Sequence, residues 1–192
     1  MLTTDRLTLR PFRPDDRDAF RALAGHWEVA RMTSDIPHPL TDEDARQWLA
    51  PAADEARFAL IEDDVLIGGA GYFMRTARAA EVGFWLGRAY WGRGLATEAV
   101  RAVLAYGLST GNAAAFTSSH FTDNPASGRV LAKLGFEPAG TCRIMSIARA
   151  SEVAAIYYVL PREQAAQRLC LTMPPPRLSR IGAILGRFTG SA

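Results

Sequence analysis

The chain is organised around residues 81–105, which read EVGFWLGRAYWGRGLATEAVRAVLA. Residues 81–86 predict a β-strand and residues 87–94 a glycine-rich turn. The spacing of the apolar residues after position 94 predicts a helix. A helix N-terminus carries unpaired amide donors and roughly half a positive charge, and Gly92 and Gly94 allow the backbone to approach a ligand closely. The order of strand, glycine loop and helix therefore predicts a binding site for a phosphate group.

Two common phosphate-binding motifs fit this loop poorly. A Walker loop needs Lys followed by Ser or Thr at the start of the helix, whereas residues 95–97 are Leu, Ala and Thr. The dinucleotide fingerprint needs a third glycine and a more distant acidic residue, and the chain offers only Gly92-x-Gly94 with no suitable acid near Gly111. A dinucleotide-dependent oxidoreductase is therefore disfavoured.

Six other segments have the composition or alternation of β-strands, and these are residues 6–12, 57–62, 65–73, 113–121, 141–149 and 152–160. The first is predicted to be an edge strand because it contains Pro11. Glycines at positions 68, 69 and 71 predict a bulge or a close backbone approach. The pattern indicates a mixed α/β sheet in one domain, residues 1–160, followed by a basic, proline-containing extension, residues 161–192.

A second informative stretch is residues 123–136, DNPASGRVLAKLGF. Asp123 or Asn124 is predicted to cap a helix that has proline in its first turn and ends at Gly135. The inward stripe of this helix is predicted to hold Ser127, Val130, Leu131 and Leu134. This spacing places the hydroxyl of Ser127 on the buried side, one turn from the helix N-terminus.

The motifs together resemble the GNAT superfamily of N-acetyltransferases, in particular its RimJ/RimL-like branch. The resemblance rests on TDRLTLRPFRPDD near the N-terminus, on WGRGLATE at residues 91–98, and on NPASGRVLAKLGF at residues 124–136. It implies an α+β fold with a mixed, mostly antiparallel central sheet of about seven strands and helices on both faces. It also implies transfer of an acetyl group from acetyl-CoA to a primary amine, by direct attack in a ternary complex.

The resemblance further implies how acetyl-CoA binds. Backbone groups of the strand at residues 84–86 are expected to contact the pantetheine and the thioester, and the amides of residues 92–97 the pyrophosphate. Asn124 and Ser127 are expected near the pantetheine arm, and Arg93 and Arg129 near the CoA phosphates. The complete expected set is Phe84, Trp85, Leu86, Trp91, Gly92, Arg93, Gly94, Leu95, Ala96, Thr97, Asn124, Ser127 and Arg129.

Two residues are predicted to be catalytic. Glu81 opens the thioester-binding strand and is the candidate base, which would act directly or through water. The alternative is that Glu81 is a solvent-exposed carboxylate at the end of a strand and has no catalytic role. Ser127 is the candidate donor to the departing sulfur. His120 is a second candidate base, because an unperturbed imidazole titrates near pH 6.5. His38, Glu81 and His120 are predicted to contact the amine acceptor.

Composition excludes several other classes of protein. The net charge of +2 over 192 residues is too small to indicate nucleic-acid binding. No apolar run approaches the roughly 20 residues of a membrane span. The spacing between the two cysteines does not predict a metal site. We therefore expect a cytoplasmic enzyme without a metal. A catalytically inactive acyl-CoA sensor is the alternative, and apolar residues after 180 raise the possibility of a homodimer.

Overall fold

The computed structural model describes residues 1–52 and 54–170. The strands are β1 Leu2–Thr3, β2 Thr8–Pro11, β3 Glu55–Glu62, β4 Val65–Thr76, β5 Ala79–Leu86, β6 Ala115–Phe121, β7 Glu137–Ser146 and β8 Ser151–Pro161. The helices are α1 Arg17–Ala24, α2 Trp27–Ala30, α3 Asp42–Leu49, α4 Leu95–Thr110, α5 Pro125–Leu134 and α6 Arg162–Arg168. Two short 3₁₀ turns, Pro14–Asp16 and Arg88–Tyr90, precede α1 and α4.

All eight strands form one sheet in the order β1-β2-β3-β4-β5-β6-β8-β7. Neighbouring strands are antiparallel except β5 and β6, which are parallel and joined by the crossover helix α4. The predicted mostly antiparallel sheet is therefore confirmed. The eighth strand is the two-residue β1, which pairs with β2, so the segment expected at the edge of the sheet is second in the order.

Helices cover both faces of the sheet and create two apolar clusters, as predicted. On one face, α4, α5 and α6 pack over the strands, and α4 buries Leu95, Ala99, Val100, Val103, Leu104, Gly107 and Leu108. On the other face, α1, α2 and α3 bury a second cluster around Phe20, Ile36 and Trp85. Successive β5 side chains alternate between these clusters because strand side chains point to opposite faces in turn.

The glycine-rich strand β4 shows both features that its composition predicts. The register between β3 and β4 shifts where Leu60 pairs with Gly68 and Ile61 with Leu66, which leaves Ile67 as the extra residue of a bulge. A Cβ atom on Gly68 would lie 2.4 Å from the carbonyl oxygen of Trp85. Glycine is required at that position because the neighbouring backbone leaves no room for a side chain.

The C-terminal part of the described chain departs in detail from the expected boundaries. The last hairpin turns at residues 147–150, earlier than predicted. Strand β7 also begins earlier than predicted, at Glu137. Helix α6 follows β8 directly and buries Ala165 and Ala166 in the cluster beneath α4. The packed region therefore continues past residue 160. The proposed extension otherwise lies outside the described residues, and the division of the chain into two parts stays a prediction.

Candidate active site

The central strands β5 and β6 pair over only part of their length. Their register runs from Ala79 with Ala115 to Glu81 with Thr117. One residue further on, the hydroxyl of Ser118 takes the place of a ladder bond by donating to the carbonyl of Val82 at 2.8 Å. Beyond this point the strands separate. Backbone groups on both sides are then available to a ligand, since buried polar groups need partners.

A cavity of about 550 Å³ lies at this separation. Its walls come from β4, β5 and β6, from the start of α5, from β7 and from the segment at residues 32–35. Side chains from both faces of the sheet contribute, because Val82 and Phe84 point toward α4 while Glu81 and Trp85 point toward α1 and α3. The cavity therefore joins the two faces through the gap between the strands.

The loop between β5 and α4 has the geometry of an anion site. Gly92 and Gly94 have φ angles of 75° and 80°, in the left-handed region that glycine adopts without strain. Gly94 is the N-cap of α4 and offers no side-chain acceptor to the first turn. Among the described residues, no acceptor binds the amides of residues 92–97. These amides, at the positive end of a 16-residue helix, are suited to an anion such as pyrophosphate.

Two of the predicted cofactor ligands in this loop have other partners. The indole N–H of Trp91 donates to the carbonyl of Leu86 at 2.8 Å and so ties the loop to the end of β5. The guanidinium of Arg93 forms two hydrogen bonds with the carboxylate of Glu62, each 2.8 Å long. These contacts show how the loop is held, and direct contact of either side chain with CoA stays a prediction.

The N-terminal segment supports the same loop, which the sequence alone did not reveal. Arg6 donates from Nε to the carboxylate of Glu98 at 2.7 Å and from Nη1 to the carbonyl of Arg93 at 2.9 Å. The hydroxyl of Thr4 also donates to Glu98, at 2.6 Å. Burial alone would raise the pKa of Glu98, but the hydrogen bonds from Thr4 and Arg6 outweigh it, and the pKa lies below its ordinary value.

The start of α5 forms another wall of the cavity. The side chain of Asn124 caps the helix by accepting from the backbone N–H of Ser127 at 3.3 Å, and both residues line the cavity. The predicted inward stripe is present, because Leu131 and Leu134 are buried and Ser127 is half-buried. Arg129 is exposed on the other side of this helix.

His120 is buried under the first turn of α5 and also lines the cavity. Its Nδ1 is 2.8 Å from the carbonyl of Phe121, and this atom must be the donor because a carbonyl can only accept. In the neutral ring Nε2 is then an acceptor, and it lies 3.3 Å from the hydroxyl of Tyr158. The ring fits beneath α5 because residue 128 is glycine, where a Cβ would lie 2.6 Å from Nε2.

Glu81 lies at the point where β5 and β6 begin to separate. Its side chain is 17% exposed, lines the cavity and pairs with Nε of Arg75 at 2.5 Å. Arg75 is 61% exposed, so the ion pair stands at the mouth of the cavity. The structure thus brings together Glu81, Ser127 and His120 around one cavity.

His38 does not reach this cavity. It lines a separate surface depression with Asp18 and Arg21, its Nδ1 lies 2.9 Å from the carbonyl of Gly25, and its ring packs against Trp27. The predicted contact between His38 and the acceptor is therefore not supported by its position. The same loop contributes a different segment, residues 32–35, to the cavity.

An ionic cluster ties this segment to the last hairpin. Asp123 pairs with Arg31 at 2.8 Å and with Arg149 at 2.9 Å, and Arg149 also donates to the carbonyl of Arg31. The hydrogen bond from Arg149 and the charges of both arginines hold the pKa of Asp123 below its ordinary value. The cluster fixes the turn before Asn124, so it also stabilises the cavity wall formed by α5.

Several other cavity residues were not predicted, namely Phe12, Asp35, Trp48, Glu55, Arg57, Tyr72, Phe73 and Met145. They come from six separate elements or loops, and their pattern in the sequence is that of ordinary strand, helix and loop positions. A weak signal was available for Glu55 and Arg57, which are polar residues on a strand face that otherwise packs inward.

Within the described residues, no group of His, Cys, Asp and Glu side chains is arranged to hold a metal ion. None of the helices in the same part of the chain has the length and apolarity needed to span a lipid bilayer.

Comparison with known proteins agrees with the fold. The acetyltransferase (GNAT) domain model matches residues 6–137. The chain is 31% identical over 177 residues to the uncharacterized N-acetyltransferase p20 of Bacillus licheniformis, covering 85% of this chain and 98% of that protein. It is 30% identical over 159 residues to the ribosomal protein uS5-alanine N-acetyltransferase of Escherichia coli K12, covering 72% and 79% of the two chains.

Among solved structures, Mycobacterium smegmatis RimJ in complex with CoA-disulfide superposes with a TM-score of 0.72 at 18% identity, over 85% of this chain and 88% of that chain. The chain therefore belongs to the GNAT family of acetyltransferases. Its predicted place in the RimJ/RimL-like branch is confirmed by these relatives, and it is an acetyl-CoA-dependent acyltransferase.

Proposed function

We propose that this enzyme transfers the acetyl group of acetyl-CoA to a primary amine by direct attack in a ternary complex. The amine belongs to a protein N-terminus, an amino acid or another small amine. The separation of β5 and β6 carries the proposal, because it opens a gap between the α4 face of the sheet, where the anion-binding loop begins the helix, and the polar pocket on the other face. Donor and acceptor can then meet in the gap without a covalent enzyme intermediate.

The donor side of the gap suits acetyl-CoA. The amides of residues 92–97 would hold the pyrophosphate, and the backbone groups of residues 84–86 that face the gap would contact the pantetheine and the thioester. Asn124 and Ser127 lie on the α4 side of the sheet, where the pantetheine would pass. No metal ion is needed for this arrangement, because amide donors and a helix N-terminus provide the attraction for phosphate.

Acyl transfer requires that the attacking ammonium lose a proton and that the leaving thiolate be stabilised. Glu81 would accept the proton, directly or through water, because it lies at the acceptor end of the gap. The amine nitrogen then bonds to the acetyl carbon as the bond from that carbon to sulfur breaks. Ser127, on the opposite side of the gap, would donate a hydrogen bond to the sulfur.

The acceptor pocket favours a cationic amine. Its charged side chains are Asp35, Glu55 and Glu81 against Arg57 and Arg75, which is three negative and two positive charges. The guanidinium of Arg57 already bonds the carbonyls of residues 48 and 50 and the carboxylate of Glu55, so it is not available to bind an acceptor carboxylate. The similarity to an enzyme that acts on the N-terminal alanine of a ribosomal protein places peptide N-termini among the acceptors to test.

An acceptor screen tests this function. Thiol release from acetyl-CoA would be measured with four amines: an alanyl peptide, glycinamide, leucinamide and 1,4-diaminobutane. We expect release that depends on at least one of the amines. The variant Gly94→Glu should abolish it, because the new side chain places bulk and negative charge at the pyrophosphate site. Acetyl-CoA binding without amine-dependent release would instead indicate an acyl-CoA sensor.

A further inference from the structure

Two neighbouring strands, β4 and β5, present bare backbone on the floor of the acceptor pocket. In the register of the sheet, Arg57 lies opposite Gly71, and Gly71 lies opposite Gly83. The rows on either side are Glu55, Phe73 and Glu81, and then Ala59, Gly69 and Trp85. Gly83 therefore occupies the floor between the carboxylate of Glu81 and the ring of Trp85.

The fold requires glycine at two of these positions but not at Gly83. A Cβ on Gly71 would lie 2.3 Å from the carbonyl of Ala56, and one on Gly69 would lie 2.6 Å from Nε1 of Trp85. A Cβ on Gly83 would meet no heavy atom of the described residues within 4 Å, and its φ angle is not left-handed. Glycine weakens the interior of a strand, and packing within the described residues does not require it at position 83.

Trp85 marks the other end of this open floor. It lines the cavity two residues from Gly83 on the same strand face, and its Nε1 is buried against the backbone of Gly69. The free space at Gly83 is therefore bounded by the carboxylate of Glu81 on one side and by the indole of Trp85 on the other.

We infer that Gly83 determines acceptor specificity by leaving space for the substituent carried beside the reacting amine. Glu81 is two residues away on the same face, about 7 Å along the strand, so an amine at Glu81 places its neighbouring group over Gly83. Acetyl-CoA approaches from the opposite face and is not affected. The inference rests on the proposed function and names its substrate class, an amine with a bulky neighbouring group rather than an unbranched one.

The test compares Gly83→Ala and Gly83→Val with wild type, using glycinamide and leucinamide as probe acceptors. We expect kcat/KM for leucinamide to fall progressively, by on the order of 10- to 100-fold for Val, with a smaller loss for glycinamide. KM for acetyl-CoA should be unchanged. The melting temperature should equal or exceed that of wild type, since alanine and valine suit a strand better than glycine. Ala154→Val, on an exposed strand position outside the cavity, is the matched control.

Three outcomes would overturn the inference. One is an equal effect of Gly83→Val on both amides, another is a selective rise in KM for acetyl-CoA, and the third is wild-type enzyme that acetylates neither amide. The proposed function has a separate test, because it fails only if all four amines of the acceptor screen leave thiol release unchanged. Transfer to the alanyl peptide or diamine alone would therefore refute the role of Gly83 and retain the acetyltransferase.

Discussion

Glu81 has the position expected of a general base, but it also has a structural partner. It lies where β5 and β6 separate, lines the cavity and is mostly shielded from solvent. Its ion pair with Arg75 provides an alternative explanation, in which the carboxylate only holds the end of β4 against β5. The two roles predict different changes in kcat when Glu81 and Arg75 are substituted separately.

We therefore expect Glu81→Gln to lower kcat about 100-fold, the typical contribution of a general base, and Arg75→Gln to lower it far less. Both changes remove the ion pair, but only the first removes the proton acceptor. Steady-state rates at saturating acetyl-CoA over a range of pH provide the measurement. Equal loss of kcat in the two variants would assign Glu81 a structural role and leave His120 as the candidate base.

At the scale of elements, three parts of the chain determine the conformation of the anion-binding loop at residues 87–94, namely β5, α4 and the N-terminal segment. The loop glycines supply the conformation, while Arg6 fixes it by bonding both the carbonyl of Arg93 and the side chain of Glu98 in the first turn of α4. The loop amides can therefore be preorganised for phosphate before acetyl-CoA arrives, which reduces the cost of ordering on binding.

The variants Arg6→Gln and Glu98→Gln should raise KM for acetyl-CoA by about 10-fold, as expected when one charged hydrogen-bonded contact is lost, and leave KM for the amine unchanged. The lowered pKa of Glu98 adds a pH dependence. Its contribution to the free energy of unfolding is complete above the unfolded pKa of about 4.3 and is lost as the pH falls through the lower folded pKa.

Urea unfolding at a series of pH values measures this effect. The difference in unfolding free energy between wild type and Glu98→Gln should shrink as the pH falls from neutral into the acidic range. A difference that stays constant or grows on acidification would contradict the assigned role of Glu98. Glu137→Gln, at an exposed position on β7, is the matched surface control.

For the whole molecule, α6 is part of the fold rather than an appendage. Arg162 donates to the carbonyls of Leu108, Gly111 and Ala113, where α4 ends and its carbonyls lack helical partners. The same helix buries Ala165 and Ala166 against the main core. It therefore stabilises the C-terminal end of the helix whose N-terminus forms the anion loop.

A chain that ends at Leu160 should consequently melt at least about 5 °C below the full chain, given that 1 kcal/mol corresponds to roughly 2–4 °C in a protein of this size. A chain that ends at Cys170 retains α6 and should melt at least about 5 °C above the chain that ends at Leu160. Differential scanning calorimetry of the three proteins provides the comparison. Equal melting temperatures for the two truncated chains would show that α6 adds nothing to stability.

Local patterns predicted much of this protein correctly. The alternation in residues 81–86, the glycines before Leu95 and the capping residue Asn124 each act within a few residues, so the sequence reveals them directly. Boundaries were less accurate where they depend on distant partners, as for β7, whose early residues become a strand by pairing with β8. The location of His38 outside the cavity could not be predicted, because a loop's direction depends on the helices that it packs against.

The sequence by itself determined the mixed sheet, the glycine turn before α4 and the helix cap at the start of α5, because periodicity, glycine placement and capping are local properties of the chain. The family came from the resemblance of its motifs and was confirmed by the family match. Only the tertiary structure decided which side chains share the cavity. Arg6 and Glu98 are 92 positions apart and Arg31 and Asp123 likewise, and no local pattern encodes such pairs. The open space above Gly83 is also a tertiary property, since it exists only because no heavy atom of the described residues packs within 4 Å of that position.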